Sequence, residues 1–558
     1  MDKTGSAITK IRYPKMPSSE PGSASKIRPT RASEALMATA TTPPRLRTKL
    51  RLAMMPSTTM RGERARGCDV STSDIPQSYE TQHGSSGHLL QIGDNSVLAL
   101  AIVLLVCTRM STSITNHFAL SLWVSAVLII GSALRRRNIF LTTMMIFFAF
   151  SGVGLGVHSW SQLRQPQLGS FDGTAKVMED PQWRNGGVQT VLQLDGERFI
   201  VYSYGLPGRR LSNRQAGEVL WVSGDRLRLE ASKQNRLSYR HIVGTFAVRE
   251  VSEIFGNGAV LYLSANNIRK ALARSAAVMP RDEGALFMGL IIGDDRQQSA
   301  TMVTAFRNSG LSHLTAVSGQ NVAFLLTVMA PLLMRARSSW RLGLTMFVLL
   351  WFTVVTRGEP SVLRAAMMAG FVALGSARGR DTPARRMLGL AIIVLIVCDP
   401  LLAWSVGFWM SSSATLGLLV ITPQLAKIIP GPRWFSAALS TTMGAQLGVM
   451  PITATIFHSA PVIALVANLL AVPIAGAVML VGIPLGMLAG ILSQVSSGTV
   501  MTGCVTALMW PIEIAVRWVW WVAALGERMS LQGSVNALGW GIVALLVISA
   551  RISAWRSI

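Results

Sequence analysis

The chain has 558 residues, of which 50% are apolar and 14% charged, with a formal net charge of +25. Soluble domains carry about 25% charged residues, so this chain has too few to cover a large water-facing surface. With a mean hydropathy of +0.41, a soluble enzyme built on one large core is excluded, and a polytopic α-helical membrane protein is expected.

Residues 1–95 are rich in Ser, Thr, Pro, Arg and Gly without helical or strand period, and read as a disordered, basic cytoplasmic tail. No apolar stretch of signal-peptide length follows the early basic residues. Translation starts at Met54, Met55 or Met60 are alternatives that the residues leave open. Three transmembrane segments are then expected within 96–160, near 96–112, 116–134 and 139–159. The Arg135–Arg137 cluster marks a cytoplasmic loop, which puts the N-terminus inside and the next segment outside.

Residues 161–256 differ in kind. Runs at Gly173–Glu179, Val188–Leu194, Glu197–Tyr204, Glu218–Val222 with Arg226–Leu229, and His241–Val251 alternate apolar and polar residues between Gly, Asn and Pro turns. Five short strands in this length predict a small extracytoplasmic all-β domain, an OB-like barrel. Arg226, Arg228, Lys233, Arg236 and Arg240 are its candidate contacts for a nucleic-acid strand.

Residues 257–300 carry an amphipathic pattern over Ala259–Met279, read as a helix on the membrane surface. The apolar run Ala285–Gly293 is too short to span and is expected to be interfacial or re-entrant. Residues 301–558 then hold about nine more segments. The 461–492 stretch contains Pro473 and Pro484 and is expected to be broken or partly re-entrant. The total is about twelve spans with both termini inside. Glu513 and Arg517, four apart, read as a structural ion pair, and Trp518, Trp520 and Trp521 as an interfacial belt.

The four cysteines, Cys68, Cys107, Cys398 and Cys504, have no metal-ligand spacing, and no GxxxxGK[ST] occurs. No cofactor, metal or catalytic role is therefore expected. The chemistry lies elsewhere. Ser309-Gly310-Leu311-Ser312-His313-Leu314-Thr315-Ala316-Val317-Ser318-Gly319-Gln320-Asn321-Val322 concentrates polar groups that are costly at membrane depth unless they face protein or a wet cavity. Continuous helix would put His313 and Gln320 on one face, whereas Gly310 and Gly319 invite a break of the kind tolerated beside a cavity. Arg357, Glu359 and Arg364 cluster at a span mouth. Ser411 lies in a Gly-aromatic-Ser patch, and Gln446 and Asn468 are isolated polar residues near Gly and Pro.

These elements, together with Pro-Ser-Val-Leu-Arg-Ala at 360–365 and Asp-Pro…Gly-Phe-Trp-Met-Ser at 399–411, resemble the ComEC family of competence proteins over roughly 95–550. The resemblance implies an inner-membrane, multi-pass channel for transforming single-stranded DNA. His313, Ser318, Gly319, Gln320, Asn321, Arg357, Arg364, Ser411, Gln446 and Asn468 would lie on or beside the path. It also implies an extracytoplasmic DNA receptor and a cytoplasmic helicase-type motor; membrane lipid and further copies of the chain are the remaining expected partners. Many relatives carry a metallo-β-lactamase-like domain with an HxHxDH motif. That motif does not occur here, so a separate nuclease is expected. Two other readings fit some of the residues: a transporter of a smaller anionic or lipid-linked solute, and a membrane-embedded serine hydrolase using Ser318 with His313.

Overall fold

The computed structural model describes residues 93–111, 139–163, 166–184, 186–256, 258–380, 382–457, 461–495, 498–531 and 533–556. Nearly all of the N-terminal tail, the expected span at 116–134, the Arg135–Arg137 cluster and its topological role, and His458 lie outside the described residues.

The β-rich region forms one sheet from β1 (Gly169–Val177), β2 (Gln182–Arg184), β3 (Gly187–Leu194), β4 (Glu197–Ser203), β5 (Val219–Arg228) and β6 (Ile242–Gly256). Because β1 pairs with both β5 and β3, five strands close into a ring in the order β1-β5-β6-β4-β3, and β2 is appended to β3 as a short edge. Every pairing is antiparallel except that of β4 with β6. Alternation sends Phe171, Val177, Leu192, Phe199, Val201, Leu220, Val222 and Phe246 into the barrel core. There Phe171 and Phe246 meet edge to face at 6.1 Å. The five expected strands all form. The three-residue β2 has no readable alternation, so the sequence did not reveal it.

Outside the barrel the described chain is helical. Five helices are long and apolar enough to cross a membrane: Phe140–Leu163, Pro360–Ala377, Val406–Leu425, Ala464–Val495 and Thr499–Arg528; Trp340–Val355 is apolar but shorter. The helix Val260–Ala276 forms where an amphipathic helix was expected. Its apolar face is buried against protein, with Ala271 packed onto Gly490 of the Ala464–Val495 helix. The helix Arg281–Ile292 is too short to span, and every residue from Gly284 to Ile292 is buried.

One expectation is corrected. Pro473 and Pro484 do not break the 461–492 stretch, which is a single 32-residue helix, Ala464–Val495. A helical proline removes one hydrogen bond and crowds the preceding turn, and neighbouring helices can supply the missing donor. Here the Trp518 indole N–H of the next helix donates to Leu470 O at 3.2 Å, one residue along from the Leu469 carbonyl that Pro473 leaves without its helical donor. The Glu513–Arg517 pair is present at 2.6 Å, and Arg517 also donates to Glu283 at 3.0 Å.

Candidate functional site

The Ser309–Asn321 segment is not one helix. It consists of a single turn, Ser312–Thr315, extended backbone through Ala316 and Ser318, and then the helix Gly319–Arg335. His313 and Gln320 therefore do not share a regular helical face, although both side chains are exposed. The reason is packing. Leu311, Leu314 and Val317 are buried and pull the segment onto the core, leaving the polar residues between them outward. Gly310 takes a left-handed φ of +75° and lies tight against Ala464, while Ser309 is fully buried against Gly526. Gly310→Val would meet both the positive φ and Ala464. Backbone strain alone is about 1–3 kcal/mol, so thermal unfolding of the detergent-purified variant is expected at a clearly lower temperature. An unchanged midpoint would show that the segment is not held this way.

Asn321 is 1% exposed. Its amide donates to Leu290 O at 3.2 Å and Ile291 O at 3.4 Å, capping carbonyls at the end of the Arg281–Ile292 helix, and its Oδ1 accepts from the Ser318 hydroxyl at 3.2 Å. Asn321 thus positions the segment from inside, with Ser318 as its partner. Ser361, which the sequence reading did not single out, donates to Val317 O at 2.5 Å.

That contact brings the start of the Pro360–Ala377 helix against the segment, and with it Arg364. The guanidinium is 5% exposed, donates through Nε to Ser411 Oγ at 3.0 Å, and approaches Met368 Sδ at 3.1 Å. Its Nη2 lies 3.0 Å from where a Cβ on Gly319 would stand, and the Ala365 methyl is at 2.9 Å from the same point. Glycine at 319 is what lets the two helices close on the charge. Among the described residues no carboxylate forms an ion pair with Arg364. Residues from three separate sequence motifs thus meet here: Gly319 and Ser411 lie directly against the buried Arg364 cation.

Arg357 is placed elsewhere. At φ +61° it turns into a buried ionic network in which its Nε and Nη2 donate to Asp180 at 3.0 and 2.8 Å and Nη2 also reaches Asn266 at 2.8 Å. Arg269 bridges Asp180 at 3.0 Å and Asp294 at 2.8 Å, and donates to Val355 O at 3.1 Å; Arg296 forks onto Asp294 at 2.7 and 2.6 Å. Burial pushes the Asp180 carboxyl up, but the guanidiniums of Arg269, Arg357 and Arg296 outweigh it and hold the group well below the usual carboxylate range. Asp294 is lowered in the same manner, by Arg296 and Arg269 against burial. The network ties the barrel, through Asp180, to the Val260–Ala276 helix, the loop after Ile292 and the turn before Pro360. A second tie joins His241 Nε2 to Asp399 Oδ2 at 3.0 Å. The signal for the network was charge inside apolar surroundings, at Arg269 and Asp294, but the sequence does not say which charges meet.

Gln446 is half-buried and Asn468 is 8% exposed; among the described residues the Asn468 Oδ1 has no partner and no hydrogen bond joins either residue to the Arg364 group. In the barrel, Arg226 is paired with Asp195 at 3.4 Å and stacked over Phe171, Lys233 with Glu230 at 3.1 Å, and Arg240 with Glu179. Arg228 and Arg236 are exposed and form no ion pair among the described residues. Much of the charge in that cluster is already answered by the barrel's own acids.

Comparison with known proteins agrees with the motifs. Residues 290–557 match the family described as Competence protein. The chain is 26% identical over 243 residues to "ComE operon protein 3" of Bacillus subtilis (strain 168), covering 43% of this chain and 31% of that protein. It is 22% identical over 303 residues to "Uncharacterized protein YcaI" of Escherichia coli (strain K12), covering 50% of this chain and 38% of that one. The matched region spans about a third of the length of these relatives. No solved structure matches. The match covers just under half of the chain, takes in the polar segment, Arg364 and the helices that enclose them, and supports a competence protein of the ComEC family.

Proposed function

We propose that the chain is a multi-pass inner-membrane channel that passes single-stranded DNA into the cytoplasm during natural competence. The observation that carries this reading is Arg364: a buried cation in a candidate span, without a carboxylate partner among the described residues, set against Gly319 and Ser411. A buried charge is costly unless paired, and ionisable residues at membrane depth mark ion and substrate routes. A polyanion in transit supplies the missing negative charge only while it passes, which suits weak, multi-site conduction. About twelve spans, of which five stand out by length and composition, would enclose the route. The five-stranded ring with one parallel pair supports an OB-type barrel, which would receive the strand on the outer side.

The reading carries partners with it. With no phosphate-binding loop in the sequence, translocation would draw on a cytoplasmic helicase-type motor, with a receptor delivering DNA outside, a separate nuclease degrading the second strand, lipid around the apolar helices and further copies of the chain beside it. The chain itself would carry no catalysis. The test is nuclease-protected uptake of labelled DNA by a deletion strain carrying the intact gene or His313→Ala at matched membrane levels. Restoration by the intact gene and loss with His313→Ala is the expected pair of results. If the deletion leaves uptake unchanged where the parent strain transforms, the channel reading is wrong, and a carrier for a smaller anion becomes the better account of Arg364.

A further inference from the structure

Two tyrosine rings on the barrel face outward where no core requires them. Tyr202 on β4 and Tyr204, two residues on in extended backbone, are 41% and 61% exposed. Residues two apart on extended chain share a face. The strand register carries that face sideways: Tyr202 stands opposite Gln189, and Gln189 opposite Gln182. Arg184 stands opposite Gly187. Since Gly187 has no side chain, the Tyr204 ring lies over it, 2.6 Å from where a Cβ would be. Arg184, itself exposed, is thereby next to that ring. The acid at the edge of this face is Asp295, which accepts from Gln182 at 3.4 Å. That last bond brings the edge of the face to the loop that leads, through the helix Ala300–Asn308, into the Ser309–Asn321 segment.

The rings are about 6.6 Å apart along the strand, whereas bases stacked within a duplex follow one another at about 3.4 Å. Rings at the wider spacing fit bases that have been pulled apart, with a phosphate between them for a cation to hold. Stacking on aromatic rings is sequence-tolerant, because every base has a π-face. A duplex keeps its bases inside the helix and cannot offer them. We propose that Tyr202 and Tyr204, flanked by Arg184, form a stacking platform for two successive bases of a single-stranded nucleic acid. The proposal rests on the channel reading for the source of the strand, and it moves the barrel's contact away from Arg226, Lys233 and Arg240, which are engaged with Asp195, Glu230 and Glu179.

The test uses the full chain in detergent, with binding of a labelled oligothymidylate followed by fluorescence anisotropy at one fixed salt concentration. Tyr202→Ala with Tyr204→Ala is expected to weaken binding by about thirtyfold or more, from the loss of base–aromatic stacking at two bases. Tyr202→Phe with Tyr204→Phe keeps both rings and is expected to bind as the intact chain does, which separates stacking from a fold defect or a lost hydroxyl. A duplex of the same length should compete poorly. Intact affinity in the alanine variant overturns the platform while leaving the channel reading in place. Absence of oligonucleotide binding by the intact chain also overturns it, and the uptake assay then judges the channel reading separately.

Discussion

Asp180→Ala is expected to destabilise the folded protein by about 3–5 kcal/mol, the usual result of removing one partner from a buried charge pair. Asp180 accepts from Arg357 and Arg269 at 2.8–3.0 Å, and also from the backbone N–H of Ala216 at 2.9 Å. Its loss leaves two buried guanidiniums facing each other with only Asp294 between them and Arg296. Arg357→Ala added to Asp180→Ala should recover part of the loss, because the double change removes an orphaned charge; the coupling energy of that cycle measures the pair. Thermal unfolding of the purified protein is the readout, and equal losses from Asp180→Ala and Asp172→Ala, an exposed carboxylate on β1, would remove the network from the account. The pH dependence has a definite sign. The folded Asp180 carboxyl lies below its unfolded value of about 3.9, so its contribution is fully present above that value and is lost as pH falls through the lower folded one. Asp294 acts in the same direction. The barrel's tie to the helices should therefore persist through mild acidification.

Arg364→Gln is expected to behave in the opposite way. The neutral side chain can still hydrogen-bond Ser411, and a buried cation without a carboxylate contributes little to stability, so the variant should reach the membrane at normal levels and unfold no earlier than the intact protein. DNA uptake should fall to the background of the deletion strain. Arg364→Lys, which keeps the charge but loses the planar fork, should retain part of the uptake. Stability kept and transport lost is the signature of a charge maintained for a passing anion. Uptake at the intact level in the glutamine variant would take Arg364 off the route.

The contrast between these two arginines shows what could be read from the residues. Both lie in one short stretch, Arg357 to Arg364, and both were assigned to the DNA path. Spacing along the chain located the stretch but not the partners, because Asp180 is 177 residues from Arg357 and Ser411 is 47 from Arg364. The barrel strands were legible because a half-buried strand writes its burial into alternate residues. The break within Ser309–Asn321 was legible from Gly310 and Gly319. The inward turn of Asn321 was not, since a polar residue in an apolar setting can face a wet cavity or satisfy buried carbonyls equally well. Pro473 and Pro484 misled for a related reason: a proline marks a lost donor, and only the neighbouring helix says whether that loss is made good.

The unbroken Ala464–Val495 helix has a consequence for how the protein sits in its bilayer. At about 1.5 Å per residue, its 32 residues extend roughly 48 Å, against a hydrocarbon thickness of about 30 Å. Even at the steep end of helix tilts, about 40°, it still rises some 37 Å, so leaning alone does not absorb the excess. One end has to stand clear of the lipid tails. The polar candidate is the C-terminal end, where Arg274 donates to Gly490 O at 3.1 Å and to Gln494 at 3.0 Å. That end is packed against the Val260–Ala276 helix, so if this helix crosses the bilayer, the packed end is the one expected to reach the headgroup layer.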